Sequence, residues 1–487
     1  MNITLISTYE LGRQPFGLAS PAAWLRARGH QVRCFDVSRE PLGEDAVRTA
    51  GLIAFYVPMH TATRLAADLV ARARLLNPAA HYCFFGLYAP VNEEYLRGLG
   101  VETVLGGEFE QGLADLAQRL SHQSPADRNG AGGHGAQPEP VISLARQEFV
   151  VPDRSGMPDL SRYARLTMPD GEQRIVGSTE ATRGCKHLCR HCPIVPVYQG
   201  AFRVVGREIV LEDVRRQVAA GARHISFGDP DFFNGPAHGL AIVEAIRGEF
   251  AGLSYDVTIK VEHLRQHDRH LETLRDTGCL FVTSAVESVD DVVLEKLDKG
   301  HTREDFLAVV ARFRELGMTL APTFVPFTPW TTLESYCELL DVIARENLTE
   351  NVAPIQLAIR LLIPAGSLLL ELPDVRALVE PFDGRALMFP WKHPDARLDA
   401  LSANLSRLVE AGEKQKKSRT EIFHDIWRAA HAAAGKHAVL RAEGAGARSA
   451  PVPFLDEPWY CCAEPTQEQF VTIGSACAGT GGADRFV

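Results

Sequence analysis

Three of the ten cysteines fall together, in Cys185-Lys186-His187-Leu188-Cys189-Arg190-His191-Cys192. Thiolates in C-x3-C-x2-C spacing on one turn can converge on a single soft metal centre. Three thiolates around a four-iron cluster leave one iron without a protein ligand, open to substrate or cofactor. A structural zinc site closes its tetrahedron with a fourth Cys or His, and His187 and His191 stand close enough in sequence to serve. A disulfide with a spare thiol is the third reading of the same spacing.

The elements around this stretch must carry it to a place where chemistry can happen. Residues 1–120 alternate short apolar strands with amphipathic helices, which argues a doubly wound parallel sheet of the Rossmann or flavodoxin-like type. Strands are expected at Ile3–Ser7, Gln31–Phe35, Gly51–Val57, His81–Gly86 and Glu102–Leu105. Ser20 is expected to cap a helix with Pro21 at its first position. Ligands of such sheets bind at the carboxyl ends of the strands, here Ser7–Thr8, Pro58–Met59 and Gly86–Leu87. Residues 121–149 are rich in Ser, Gly, Pro and His and read as a flexible linker.

In residues 150–395 a strand at Arg174–Glu180 delivers the chain to the cysteines. Further strands are expected at His224–Phe227, Tyr255–Lys260, Leu280–Ala285, Thr319–Phe324 and Ile355–Leu362, each followed by a helical stretch. Working residues of a β/α barrel sit on loops at the carboxyl ends of its strands. That rule selects Gly228, Asp229 and Pro230 after the second strand, and Lys260 and Glu262 after the third. It also selects Ser284, Glu287 and Ser288 around the end of the fourth, and Gln356 and Arg360 on the sixth. Arg360 can hold a carboxylate bidentately. Residues 396–450 turn helical and charged. The tail, 451–487, carries the adjacent pair Cys461-Cys462, whose thiolates can act on a substrate, shuttle electrons or bind a soft element.

Composition narrows the class. A net charge of −10 spread through the chain argues against a nucleic-acid or anionic-membrane surface. The first residues lack the basic and apolar regions of a signal peptide, and no apolar run approaches a membrane span. Irregularly spread cysteines fit reduced thiols, so a cytoplasmic location is expected.

The cysteine triad resembles the signature of the radical S-adenosylmethionine (SAM) superfamily, with His191 where an aromatic residue is usual. Phe227-Gly228-Asp229-Pro230-Asp231-Phe232, Lys299-Gly300-His301-Thr302, Ile359-Arg360-Leu361-Leu362-Ile363-Pro364 and Cys461-Cys462-Ala463-Glu464-Pro465 together resemble the CUAEP/CCAEP-tail radical SAM (seleno)protein family. The resemblance implies a partial (β/α)6 barrel, a [4Fe-4S] cluster on Cys185, Cys189 and Cys192, and SAM chelated to the open iron. Gly228-Asp229-Pro230 stands where the superfamily has a Gly-Gly-Glu-Pro turn that receives the SAM amino group. Ala285-Val286-Glu287-Ser288 resembles a stretch that meets its ribose or carboxylate, and Lys260, Ser284 and Arg360 join them as expected cofactor contacts. Some members carry selenocysteine at the position of Cys462, which implies a chemically working pair there.

The N-terminal domain resembles a cobalamin-binding module, with Gly106-Gly107-Glu108-Phe109-Glu110 like its last turn. The D-x-H-x-x-G motif is absent and Gly86-Leu87-Tyr88 replaces a glycine pair, so a structural or substrate-covering domain is expected there rather than a cobalamin site. The resulting expectation is a radical SAM enzyme acting on a small molecule, reduced by a flavodoxin or ferredoxin. Aminocarboxypropyl transfer, a cobalamin-dependent radical SAM methylase and a non-catalytic zinc or cluster scaffold are the rival readings.

Overall fold

The computed structural model describes residues 1–122, 138–436, 452–457, 465 and 469–471 of the 487-residue chain. The tail cysteines Cys461, Cys462 and Cys477 lie outside the described residues. The chain forms two compact units, the first built on Met1–Tyr163 and the second beginning at Ala164.

The first unit holds strands β1 (Asn2–Ser7), β2 (Gln31–Asp36), β3 (Leu52–Tyr56), β4 (His81–Phe85), β5 (Thr103–Gly107) and β6 (Ile142–Ser143). They form one parallel sheet in the order β2-β1-β3-β4-β5-β6. The apolar runs of β3 and β4 are buried, as a parallel sheet covered by helices on both faces requires. The two-residue β6, pairing with Gly106 and Gly107, lies within the expected linker. A second difference is local: the first helix runs Phe16–Ala27, so Ser20 and Pro21 lie inside it rather than at its start. Leu18, Ala22 and Leu25 on that helix are buried in the core with Leu113 and Leu116. That packing outweighs the backbone bond which Pro21 removes, and the Ser20 hydroxyl donates to Glu110 Oε1 at 2.6 Å.

The second unit contains β7 (Arg165–Thr167), β8 (Gln173–Thr179), β9 (Thr182–Gly184), β10 (Phe202–Val204), β11 (His224–Phe227), β12 (Ser254–Thr258), β13 (Cys279–Glu287), β14 (Thr319–Phe324) and β15 (Phe454–Leu455). Its main sheet runs β14-β13-β12-β11-β8-β7-β15. The five strands β8, β11, β12, β13 and β14 are parallel and curl into a half-barrel, while β7 and β15 extend the β8 edge antiparallel. Helices Ala396–Lys414 and Arg419–Ala433 form the expected C-terminal helical region.

The expected sixth strand, Ile355–Leu362, is not a strand. Pro354–Leu357 forms a 3-10 turn, and only a single parallel bridge joins Phe327 to Arg360. Pro354 and Pro364 bracket the segment without backbone donors. The Gln356 side chain takes over, its Oε1 accepting from the buried Phe324 N–H on the unladdered edge of β14 at 3.0 Å.

Candidate metal centre and active site

The cysteines sit on an excursion between β9 and β10, which pair antiparallel with Gly184 opposite Phe202. Gly184 turns the chain into the loop at φ +74°, and a Cβ there would come within 2.5 Å of the Ala201 carbonyl. Only glycine fits this approach. Backbone and side-chain bonds then fix the loop to the barrel. Lys186 N–H donates to Asn234 Oδ1, Asn234 Nδ2 donates to the Gly184 carbonyl, and Arg190 N–H donates to the Leu297 carbonyl. The Arg190 guanidinium also caps the carbonyls of Glu295 and Lys296.

All three cysteines are free thiols on this rigidly held loop, with Cys189 buried and the others half-buried. Burial pushes Cys185 up to about 11 and Cys192 up to about 12, and the neighbouring thiols add to both shifts. Such thiols stay protonated until a cation replaces their protons, and a coordinating metal deprotonates them outright. The two loop histidines point their nitrogens at the barrel instead. His187 Nε2 lies 3.1 Å from His263 Nε2, and His191 Nε2 lies 3.1 Å from Glu287 Oε1. Each imidazole thus has one ring nitrogen engaged by the barrel, while His191 Nδ1 is buried without a hydrogen-bond partner, and the three thiols together fit a three-thiolate cluster.

Around the loop the strand ends carry a buried polar network. Glu287, at φ +67°, receives Lys299 Nζ at 3.3 Å as well as His191. Burial alone would raise its carboxyl, but Lys299 and His191 hold it down at about 2. Burial works against the Lys299 ammonium, and Glu287 outweighs it and raises the pKa. His301 is buried, and burial followed by the Lys299 charge lowers it to about 4. Lys260 Nζ donates to Glu262 Oε2 at 2.9 Å.

Other expected contacts fall in different places. Asp229 turns under the loop, accepting from Ala181 N–H at 2.9 Å and Thr182 Oγ1 at 2.7 Å, and burial pushes it up to about 7. Its Gly228-Asp229-Pro230 turn thus braces the strand that leads to the cysteines, with the Gly228 N–H donating to the Thr179 carbonyl. Ser284 is buried on β13 with its hydroxyl unpartnered, as is Ser226 on β11. Arg360 is committed elsewhere: it pairs with Asp399 at 2.6 Å, donates to the Trp391 carbonyl and stacks 3.6 Å from the Trp391 ring. Unpartnered buried hydroxyls and imidazole nitrogens beside the cysteine loop fit a polar ligand such as SAM. His263, Asp231 and Lys299 escaped selection by sequence, although His263 and Asp231 occupy the strand-end positions that the barrel rule marks.

The description of the Radical SAM superfamily matches residues 179–341. A hopanoid C-3 methylase from Methylococcus capsulatus is 26% identical over 327 residues, covering 65% of this chain and 62% of that protein. A tRNA-2-methylthio-N(6)-dimethylallyladenosine synthase from Desulfosudis oleivorans is 26% identical over 184 residues, 35% of this chain and 38% of that protein. Thus the chain spans less than two thirds of the length of these relatives. Among solved structures, the cobalamin-dependent S-adenosylmethionine radical enzyme OxsB with aqua-cobalamin bound superposes with a TM-score of 0.65 at 15% identity, over 84% of this chain and 67% of that one. The radical S-adenosylmethionine methyltransferase TsrM from Kitasatospora setae gives 0.58 at 18% identity, over 71% of each chain. The residues that match the Radical SAM superfamily run from the end of β8 through β14 and so span the half-barrel, which a parallel α/β sheet precedes in the chain. Among the described residues, no helix is long and apolar enough to cross a membrane.

Proposed function

We propose that this enzyme uses SAM, reductively cleaved at a [4Fe-4S] cluster on Cys185, Cys189 and Cys192, to transfer or install a group on a small molecule. The observation that carries this reading is the triad itself: three free thiols on one loop that backbone and side-chain bonds fix to the barrel. A cluster bound there supplies the electron that converts SAM to a reactive radical. The chain's own residues hold the geometry. Asp229 braces the lead-in strand, Asn234 and Arg190 fix the loop, and the Glu287–Lys299–His191 network sets a polar wall beside it. Ser284, Lys260 and the backbone of Gly228 and Pro230 are the proposed SAM contacts. The tail thiols Cys461 and Cys462 act on the substrate or intermediate, a flavodoxin or ferredoxin supplies electrons, and the enzyme works in the cytoplasm.

The relatives' printed names, a methylase and a methylthio synthase, support group transfer as the reaction type. A second reading, cobalamin-assisted methyl transfer, rests on the likeness to cobalamin-bound OxsB across most of the chain. The first unit tests this reading directly. Ser7 at the carboxyl end of β1 is buried with its hydroxyl unpartnered, which fits a polar cofactor lying across the strand ends. The missing D-x-H-x-x-G motif means that any cobalamin held there would lack a ligand from that histidine.

The test is anaerobic reconstitution with iron and sulfide, then SAM and dithionite, in parallel with a Cys185→Ala/Cys189→Ala/Cys192→Ala variant. Cluster-dependent 5′-deoxyadenosine supports the radical reading, whereas methylthioadenosine points to aminocarboxypropyl transfer. Neither product from a four-iron protein would overturn it. Retention of cobalamin with a base-off spectrum selects the second reading, and failure to retain it removes that reading.

A further inference from the structure

Beside the cysteine loop stands a group of ligating side chains that the cluster does not use. His187 comes from the loop, Asp231 from the turn after β11, and His263 from the helix Val261–Gln266 that follows β12. His187 Nε2 lies 3.1 Å from His263 Nε2 and 3.7 Å from Asp231 Oδ2, and His263 Nδ1 lies 2.7 Å from Asp231 Oδ2. Donor atoms from the three residues all fall within 4.8 Å of one another.

Two further observations separate this group from a simple hydrogen-bonded cluster. Asp231 Oδ2 and His263 Nδ1 are both buried, and despite their 2.7 Å approach neither makes a hydrogen bond of acceptable geometry. Two buried polar atoms without a hydrogen bond carry a desolvation cost that a shared cation lowers. Supporting contacts also hold the donors in place. Asp231 Oδ1 accepts from the Phe233 N–H at 3.0 Å, leaving Oδ2 outward, and His187 Nδ1 faces Glu262 Oε2 at 3.5 Å. Carboxylate and backbone partners of this kind orient metal ligands. The nearest ammonium, Lys260, is paired with Glu262, so two carboxylates face one cation around the group.

We propose that His187, Asp231 and His263 form a second metal site, distinct from the cysteine triad, for one divalent cation of the zinc class. Two imidazoles and one carboxylate are borderline donors suited to zinc, and tetrahedral ligands around it stand about 3.3 Å apart. With His263 offering Nδ1, Asp231 Oδ2 stands 2.7 Å from it and 3.7 Å from His187 Nε2, separations that bracket that value. Three protein ligands leave a fourth position for water or a substrate heteroatom. The ion also staples the cysteine loop to two barrel elements. The assignment stands on these side chains and not on the identity of the cluster.

The probe is zinc alone, added to the iron-reconstituted full-length enzyme and followed by removal of loosely bound metal. The expected result is one zinc per chain alongside an intact iron complement. X-ray absorption at the zinc edge should show nitrogen and oxygen neighbours at about 2.0–2.1 Å and no sulfur shell at about 2.3 Å. Asp231→Asn and His263→Gln should each weaken zinc affinity at least about tenfold while keeping the iron, and His187→Gln, on the less buried loop, serves if those variants misfold. Removing the zinc should lower the cluster's reduction potential, because a nearby dication favours the added electron. A sulfur shell at the zinc edge, zinc lost with the three cysteines but unaffected by the three variants, or no bound zinc at all would overturn the proposal.

Discussion

At the scale of single residues, the half-barrel spends its buried charges around the cysteine loop. Glu287 sits at a left-handed backbone angle that costs a non-glycine residue of order 1 kcal/mol, and it stays because its carboxylate holds both Lys299 and His191. Glu287→Gln removes the charge and leaves the Lys299 ammonium buried without a counter-ion. The expected loss is about 3 kcal/mol, at the low end for breaking a buried pair. Thermal or denaturant unfolding of the iron-free protein measures it. The pH dependence follows from the direction of the shift. The Glu287 carboxyl falls from its ordinary 4.5 to about 2 in the folded chain, so its contribution is complete above pH 4.5 and is lost as pH falls toward 2. Unfolding curves of the wild type should therefore weaken across that window, and those of Glu287→Gln should be flatter there. Identical pH profiles for the two proteins would remove the pair from the stability account.

At the scale of elements, the barrel edge shows how a side chain can stand in for a strand. Phe324 ends β14 fully buried, and its N–H is satisfied by Gln356 Oε1 rather than by a neighbouring backbone. Gln356→Ala leaves that donor unpaired, with an expected cost of about 1–3 kcal/mol and faster hydrogen exchange at the Phe324 amide. Unchanged exchange there would mean that water or a neighbour takes over. The helix Arg303–Leu316, which follows the Lys299-Gly300-His301 turn, begins in a capping box between Thr302 and Asp305. Thr302→Ala should cost about 1 kcal/mol in unfolding experiments and loosen that turn. Both cases show what the sequence displays and what it hides. His224–Phe227 and Thr319–Phe324 read true because their apolar runs end at turn signals and each pairs in parallel register with a neighbouring strand. The sixth strand misled because Ile355–Leu362 has the same apolar character, while Pro354, Pro364 and the Gln356 side chain decide against a ladder. Cys185, Cys189 and Cys192 stand out in the sequence because closely spaced thiols on one loop declare themselves by spacing. His187 with His263 and Asp231, and Glu287 with His191, were not, since residues up to 96 positions apart meet only when strands align.

At the scale of the whole molecule, the proposed reaction divides between the half-barrel, which would make a radical, and the tail, which is proposed to use it. The proposed SAM cleavage draws on the cysteine loop, Asp229 and the polar wall around Glu287, all on the second unit. Nothing in that set offers an exposed thiolate, because the other cysteines described, Cys34, Cys83, Cys279 and Cys337, are buried, and burial raises their thiols. The proposed function assigns the reactive thiol to Cys462, with Cys461 beside it in sequence, and ionised sulfur is the working form of such a group. If the tail handles the substrate after the radical forms, then Cys461→Ala/Cys462→Ala must separate the two half-processes. The variant should keep its full iron content and form 5′-deoxyadenosine at close to the wild-type rate, while turnover to product falls about 10²-fold, the scale of losing one catalytic group. Single-turnover assays that count 5′-deoxyadenosine against product read this ratio directly, and Cys462→Ala alone should uncouple more strongly than Cys461→Ala. A double variant that keeps the wild-type ratio would return the reaction wholly to the barrel, with Lys260, Ser284 and His301 as the groups that remain to steer it.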